Sequence, residues 1–247
     1  MVVGVCAIAL LLLNAYALLL IGLRARLYGV RVYRPMLVNL ALSLVPVGGA
    51  VLVFVFLFAL VPVLVSLPGP LAAAAPVLEW AYLTVATGLW VLFFPNSIYL
   101  ITELNLSHRG PDDTVPLWYD LVQTLALTLS GIANAVLGLG IVQTGFIVLV
   151  DDPAGGAGGP PSWSWWFAGA VILLGAVGVY LGRFLRFNSW DVRHPGSMLV
   201  KLREHFAHPG RAVDAIGFVV THAVLVGLVY VPLYVAGYVA ATMPAGT

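Results

Sequence analysis

The chain has 247 residues, 62% of them hydrophobic and 9% charged, with a net charge of +1. A soluble globular domain carries nearer ~25% charged residues, so this composition and the mean hydropathy of +1.04 exclude an ordinary soluble fold. The near-neutral balance offers no basic patch for nucleic acid, and the lone Cys6 excludes an intramolecular disulfide and a Cys-based metal site.

Apolar runs of about 20 residues read as membrane-crossing helices. Six stand out, over about 2–23, 38–66, 78–94, 118–149, 163–185 and 213–241. No basic leader precedes the first, and it is long enough to span, so it reads as a retained helix rather than a signal peptide. Pro46 and Pro62 in the second run and Pro232 in the sixth are expected kink sites. The expectation is one all-α domain over 1–247, a polytopic transmembrane bundle of six helices whose first partner is the lipid bilayer.

Charge sets the expected orientation. The first connection carries Arg24, Arg26, Arg31 and Arg34, and the third carries Arg109. Arg183, Arg186, Arg193, Lys201, Arg203 and Arg211 belong to the fifth, while the second and fourth have no Lys or Arg. The positive-inside rule then places the odd connections in the cytoplasm and both termini outside, in the plasma membrane. Trp163, Trp165 and Trp166 fall at the outer interface, and Tyr28, Tyr33, Trp118 and Trp190 at the inner one. The fourth connection, Asp151 to Pro161, is rich in Gly and Pro and reads as a structureless turn. In the fifth, residues 198–208 put Met198, Leu199, Leu202 and Phe206 on one helical face with Lys201, Arg203 and Glu204 elsewhere. Ser197 suits the N-cap, and the segment reads as an amphipathic helix lying at the interface.

Two polar, aromatic-rich segments interrupt the apolar pattern. The first runs from Phe94 to Leu104 and resumes at Pro116–Leu121; the second covers Gly182 to Asp191. Pro95 is expected to break the helix ladder. Asn96, Tyr99 and Glu103 share a face if the chain stays helical beyond it. Glu103 at a helix C-terminus opposes the dipole, so it calls for a partner such as an Arg, a His or a metal, unless it is simply solvated. Asp120 follows Pro116 and lies at the favourable positive end of its helix, which alone accounts for it. Asn188 to Asp191 matches a capping box. Arg183 and Arg186 either snorkel to headgroups or pair with Glu103, Asp120 or Asp191. His108 either joins Glu103 or is solvated. His205 and His208 have metal-compatible spacing without a third ligand nearby in sequence. Asn134 sits on a small-residue face with Ser130, Gly131, Ala135 and Gly138, suited to interhelical hydrogen bonds; Asn14 has the same expected role, and Gly178 to Gly182 is a packing motif of the same kind.

The catalytic candidates are therefore Glu103, Asp120, Asp191 and His108. The binding candidates are Asn96, Tyr99, Trp118, Arg183, Arg186, Asn188 and Trp190. No pattern identifies a cofactor or a metal, and phosphate-loop, zinc-protease, nucleophile-elbow and Cys-x-x-Cys motifs are missing from the sequence.

These blocks resemble the uncharacterised family of polytopic prokaryotic membrane proteins numbered 1361 among domains of unknown function. The family signature runs Pro-Asn-Ala-Pro-Tyr-x-x-Thr-Asp-Leu, then Pro-Leu-Trp-Tyr-Asp, then Leu-Gly-Arg-Phe-Leu-Arg-x-Asn-Ser-Trp-Asp. Pro95, Asn96, Tyr99, Thr102 and Leu104 match the first block, Pro116 to Asp120 the second, and Leu181 to Arg186 with Asn188 to Asp191 the third. Ser97-Ile98 replaces Ala-Pro and Glu103 replaces Asp. The resemblance implies fold and membrane residence and no activity. Three functions remain open: a site that binds or acts on an anionic lipid headgroup or other small anion, a small-solute or ion transporter or channel, and a non-catalytic scaffold or partner subunit.

Overall fold

In lipid, backbone polar groups must be satisfied within the chain, so long apolar runs fold as helices. The computed structural model describes residues 2–66, 69–106, 109–110, 114–150, 159–185 and 195–242, and among them there is no strand. The long helices are α1 (Val2–Tyr28), α2 (Arg34–Ser66) and α3 (Pro70–Phe93). A short α4 (Pro95–Tyr99) and a 3-10 turn (Leu100–Asn105) continue α3. Next come α5 (Leu117–Val150), α6 (Ser162–Tyr180) with a wider π-type turn over Leu181–Leu185, α7 (Pro195–Phe206) and α8 (Arg211–Thr242). Six segments are long and apolar enough to cross a membrane, so the chain is a multi-pass membrane protein.

The expected six spans are present, with three local corrections. First, Pro95 breaks the ladder as expected, with α3 ending at Phe93 and α4 starting at Pro95, but the third span continues beyond it. Phe94 keeps helical angles (φ −53, ψ −37), and the chain runs on to Leu106, which ends it in the left-handed region at φ 51. Proline is tolerated there because it occupies the first turn of the new segment, where no N–H is needed. Second, the amphipathic helix begins at Pro195, so Ser197 lies inside it rather than at its cap. Third, α1 extends to Tyr28, five residues beyond the apolar run, because Arg24 is drawn into the bundle. Pro46, Pro62 and Pro232 all lie within continuous helices. The fourth connection's 151–158 and the capping box at 188–191 lie outside the described residues.

The central element is α5, with 56% of its span window buried against 11% for α8. Close approach to it depends on glycine. A Cβ on Gly131 would lie 2.5 Å from the Ser97 carbonyl oxygen and 2.7 Å from Leu100 Cβ. The groove on α6 works the same way. A Cβ on Gly178 would run into the Pro95 ring, whereas one on Gly182 would lie 3.7 Å from the Tyr99 ring, an ordinary contact. The first polar segment is therefore wedged between α5 and α6, over a core that includes Trp90, Phe94, Ile98, Leu139 and Val179. The packing motif expected at Gly178 to Gly182 takes this form.

Gly131→Ala is expected to destabilise the protein by ~1–3 kcal/mol, the usual cost of overpacking, because backbone cannot move aside. Gly227→Ala, with nothing within 4 Å of its Cβ, should be near neutral. Thermal unfolding in detergent micelles separates the two; equal behaviour would contradict the packing described.

Candidate functional site at the charged end of the bundle

One end of the bundle gathers the ends of α1, the 3-10 turn and α6 with the starts of α2, α5 and α8. Tyr119 on α5 donates its hydroxyl to the Leu20 carbonyl of α1 at 2.8 Å, and its ring meets Tyr28 edge-on at 5.2 Å. Both polar segments reach this end, since Pro95 and Tyr99 rest on Gly178 and Gly182.

Asp120 is fully buried there. Its Oδ1 accepts from Arg24 Nε at 2.8 Å and its Oδ2 from Arg109 Nη1 at 2.6 Å. The helix dipole is therefore not its whole explanation. Two charge-assisted hydrogen bonds compensate the carboxylate in a place where an uncompensated charge is very costly. Arg24 is 7% exposed. It lies three residues after Ile21 and four after Leu20, both buried, so helical spacing aims it inward. That spacing is a signal the sequence carried.

Glu103 is 7% exposed and accepts from Asn39 Nδ2 at 2.7 Å. Its described partner is an amide on α2, not an Arg, His or metal. Thus neither Glu103 nor Asp120 pairs with Arg183, because α1 and α2 supply nearer donors. Arg183 itself is half-buried in the π-type turn. Tyr99 and Asn96 are half-buried, and Trp118 is 61% exposed with its ring edge-on to Tyr119. His108, Arg186, Asn188, Trp190 and Asp191 lie outside the described residues.

Deeper in the bundle several polar groups pair with one another, while Thr87 Oγ1 and Gln123 Oε1 have no hydrogen-bond partner among the described residues. Asn14 and Asn134 exchange amide hydrogen bonds at 3.0 and 3.1 Å, and Asn134 also donates to Ser43 Oγ at 2.9 Å. Ser97, rather than its neighbour Asn96, faces inward and donates to the Ser43 carbonyl at 2.7 Å. Farther along, Gln143 donates to Ser164 Oγ at 2.9 Å and accepts from Tyr230. His222 bonds the Phe218 carbonyl of its own helix at 2.8 Å and stacks on the Phe218 ring.

A second feature at the charged end escaped sequence reasoning. The π-type turn, α7 and the start of α8 enclose an open cleft of about 360 Å3. Lys201, Glu204, His205, His208 and Arg211 form its polar rim, and Phe184 and Leu185 its apolar wall. The Tyr180 hydroxyl and His205 Nε2 are 2.7 Å apart, which ties α7 to α6. His208 Nδ1 lies 2.9 Å from the Glu204 carbonyl. A carbonyl only accepts, so Nδ1 carries a proton. No three His, Cys, Asp or Glu side chains among the described residues group closely enough to hold a metal ion. The chemistry on offer is anion binding by cations with a histidine beside them.

Removing one partner of the buried triad should be costly. Asp120→Asn and Arg24→Gln are each expected to lower stability by roughly 3–5 kcal/mol. Arg109→Gln should cost less, because Arg109 has 23% of its side chain exposed to solvent. Chemical unfolding in mixed micelles measures the order; a silent Asp120→Asn would show that the pair contributes nothing.

The model of the family described as "Protein of unknown function (DUF1361)" matches residues 39–229, well over half of the chain, and the chain belongs to that family. No curated protein and no solved structure matches.

Proposed function

We propose that this member of the family binds anionic headgroups at the charged end of its bundle, and that this end faces the cytoplasm from the plasma membrane. The observation that carries the reading is α7. Leu199, Val200 and Phe206 on it are exposed, at 62, 56 and 40%, whereas Leu202 packs inward beside Tyr180 and Leu185. A short helix with an uncovered apolar flank and cations around it suits the interfacial plane of a membrane. Lys201 and Arg203 then sit at headgroup level.

The charge distribution supports the same reading. All nine described Lys and Arg residues belong to this end, against four described acids, of which Glu103 and Asp120 are buried within the bundle. Each cation near an anionic leaflet contributes ~1 kcal/mol of attraction. Binding is favoured over catalysis by the motif carboxylates, because both oxygens of Asp120 are engaged by arginines. The hydrogen bonds around Asn134 likewise favour a packed interior over a solute path at that depth.

Two measurements test this. In nanodiscs, replacing part of the phosphatidylcholine with phosphatidylglycerol should raise the unfolding temperature by several degrees, and 0.5 M salt should remove the gain because such attraction is screened beyond ~3–10 Å. Lys201→Gln with Arg203→Gln should halve the gain; no dependence on anionic lipid in the unmodified protein would sink the proposal. For orientation, Arg203→Cys in a Cys6→Ala background should react with an impermeant thiol reagent only when the cytoplasmic face is accessible. Labelling from the outside of intact cells would reverse the assigned topology.

A further inference from the structure

We infer that the groove between α6 and α8, in the half of the bundle away from the charged end, holds one acyl chain of a membrane phospholipid. The inference stands apart from the anionic-headgroup reading and uses none of the cleft residues.

Position comes first. The groove has a volume of about 460 Å3 and runs from Trp165 to Leu173 on α6 and from Ala223 to Val231 on α8. Either stretch is about 12 Å of helix. Both helices are long and apolar enough to cross a membrane. Trp165 lies three residues into α6, which starts at Ser162, and its ring stands edge-on to Tyr234 at 5.8 Å. The groove therefore begins near the interface opposite the charged end and stops about 17 Å along α6, close to the ~15 Å of hydrocarbon in one leaflet. Leu173, Val224 and Val231 on its walls are 48, 54 and 43% exposed, so its open side faces the bilayer.

Chemistry and size then select the occupant. The Tyr230 hydroxyl in the lining donates to Gln143, and the Trp165 indole belongs to the interface end. The other lining side chains are hydrocarbon, or are missing altogether at Gly169 and Gly227. Water is not available in the hydrocarbon to fill such a space, and an empty groove forfeits the dispersion contacts of its walls. A helix is too thick to enter. With side chains it measures ~10–12 Å across, so a 12-Å length of it fills roughly 900 Å3 or more, about twice the groove. A single hydrocarbon chain hanging from the nearer interface matches the length, the depth and the lining.

The two glycines, one on each wall, are what leave the space vacant. Gly131 and Gly178 make room for Ser97 and Pro95 of the same chain, but a Cβ on Gly169 or Gly227 would have no atom within 4 Å. A longer side chain at either position would take the place of the lipid.

The test is native mass spectrometry of the full chain, purified in mild detergent and loaded with dioleoyl-phosphatidylcholine, a lipid without net charge. One lipid should survive collisional activation that strips the rest. Gly227→Leu and Gly169→Leu should each lower that retained species about tenfold or more by filling the groove. Gly217→Leu, on α8 with equally open surroundings but outside the groove, should keep it. Unfolding temperatures no lower than that of the unmodified protein show that the variants fold. A second arm needs no variant: dihexanoyl-phosphatidylcholine, whose chains are too short to reach Leu173, should not be retained by the unmodified protein. A protein that retains no lipid, equal retention of the short and long lipids, or full retention of the long one by Gly227→Leu overturns the proposal. So does a dimer that Gly227→Leu converts to monomers, which would give the groove to a second copy of the chain.

Discussion

In a low-dielectric bundle an inward-facing polar group left without a partner is costly, and seven of the fourteen buried polar or charged residues among those described lie on α5. Asp120 at its start holds Arg24 of α1 and Arg109. About four turns further on, Asn134 holds Asn14 of α1 and Ser43 of α2. Near its far end Gln143 joins Ser164 of α6 to Tyr230 of α8. Each layer ties a different set of helices to the same axis, so α5 fixes their register as well as their contacts. Lipid supplies little hydrophobic drive between helices, which leaves close packing and such hydrogen bonds to hold the bundle.

The spans were legible because composition alone decides them. A run of about 20 apolar residues has few fates other than crossing a bilayer. The ends were less legible. Pro95 reads as a breaker in isolation, yet the chain continues, because a groove of glycines on α6 receives the proline ring and Ser97 anchors the turn to α2. The charged partners were harder still. Arg24 and Asp120 are 96 positions apart, and sequence spacing along one helix cannot announce a contact between two. What spacing did carry was the inward aim of Arg24, obscured by reading it only as part of a positive loop. Asn134 was legible as an interhelical donor because Ser130, Gly131, Ala135 and Gly138 beside it are small, and small residues let backbones approach; Asn14 meets it from α1.

The signature blocks thus divide by role. Pro95, Ser97, Glu103 and Asp120 face inward to packing or hydrogen bonds, while Trp118 stays at the rim. Both oxygens of Asp120 are engaged by arginines and Glu103 accepts from Asn39. These carboxylates make good fasteners. A polar, aromatic-rich motif in a membrane protein invites a catalytic reading, but the cost of leaving its members unpaired gives a sufficient reason for these four.

Those fasteners still bear on the cleft, through a continuous chain of contacts. Pro95 and Tyr99 seat the end of α6 by filling the space over Gly178 and Gly182. The same stretch then widens into the π-type turn that carries Phe184 and Leu185, and such turns recur at functional sites because they redirect side chains without ending a helix. One turn back, Tyr180 reaches His205 and so fixes α7, the helix that brings Lys201 to the rim. The first polar segment therefore positions one wall of the cleft without lining it. The cations that line it stand on α7 and the first residue of α8, where the apolar flank of α7 is uncovered. Rigid, buried polarity sets the geometry at this end of the bundle, and the exposed side chains of His208 and Arg211 stand beside it.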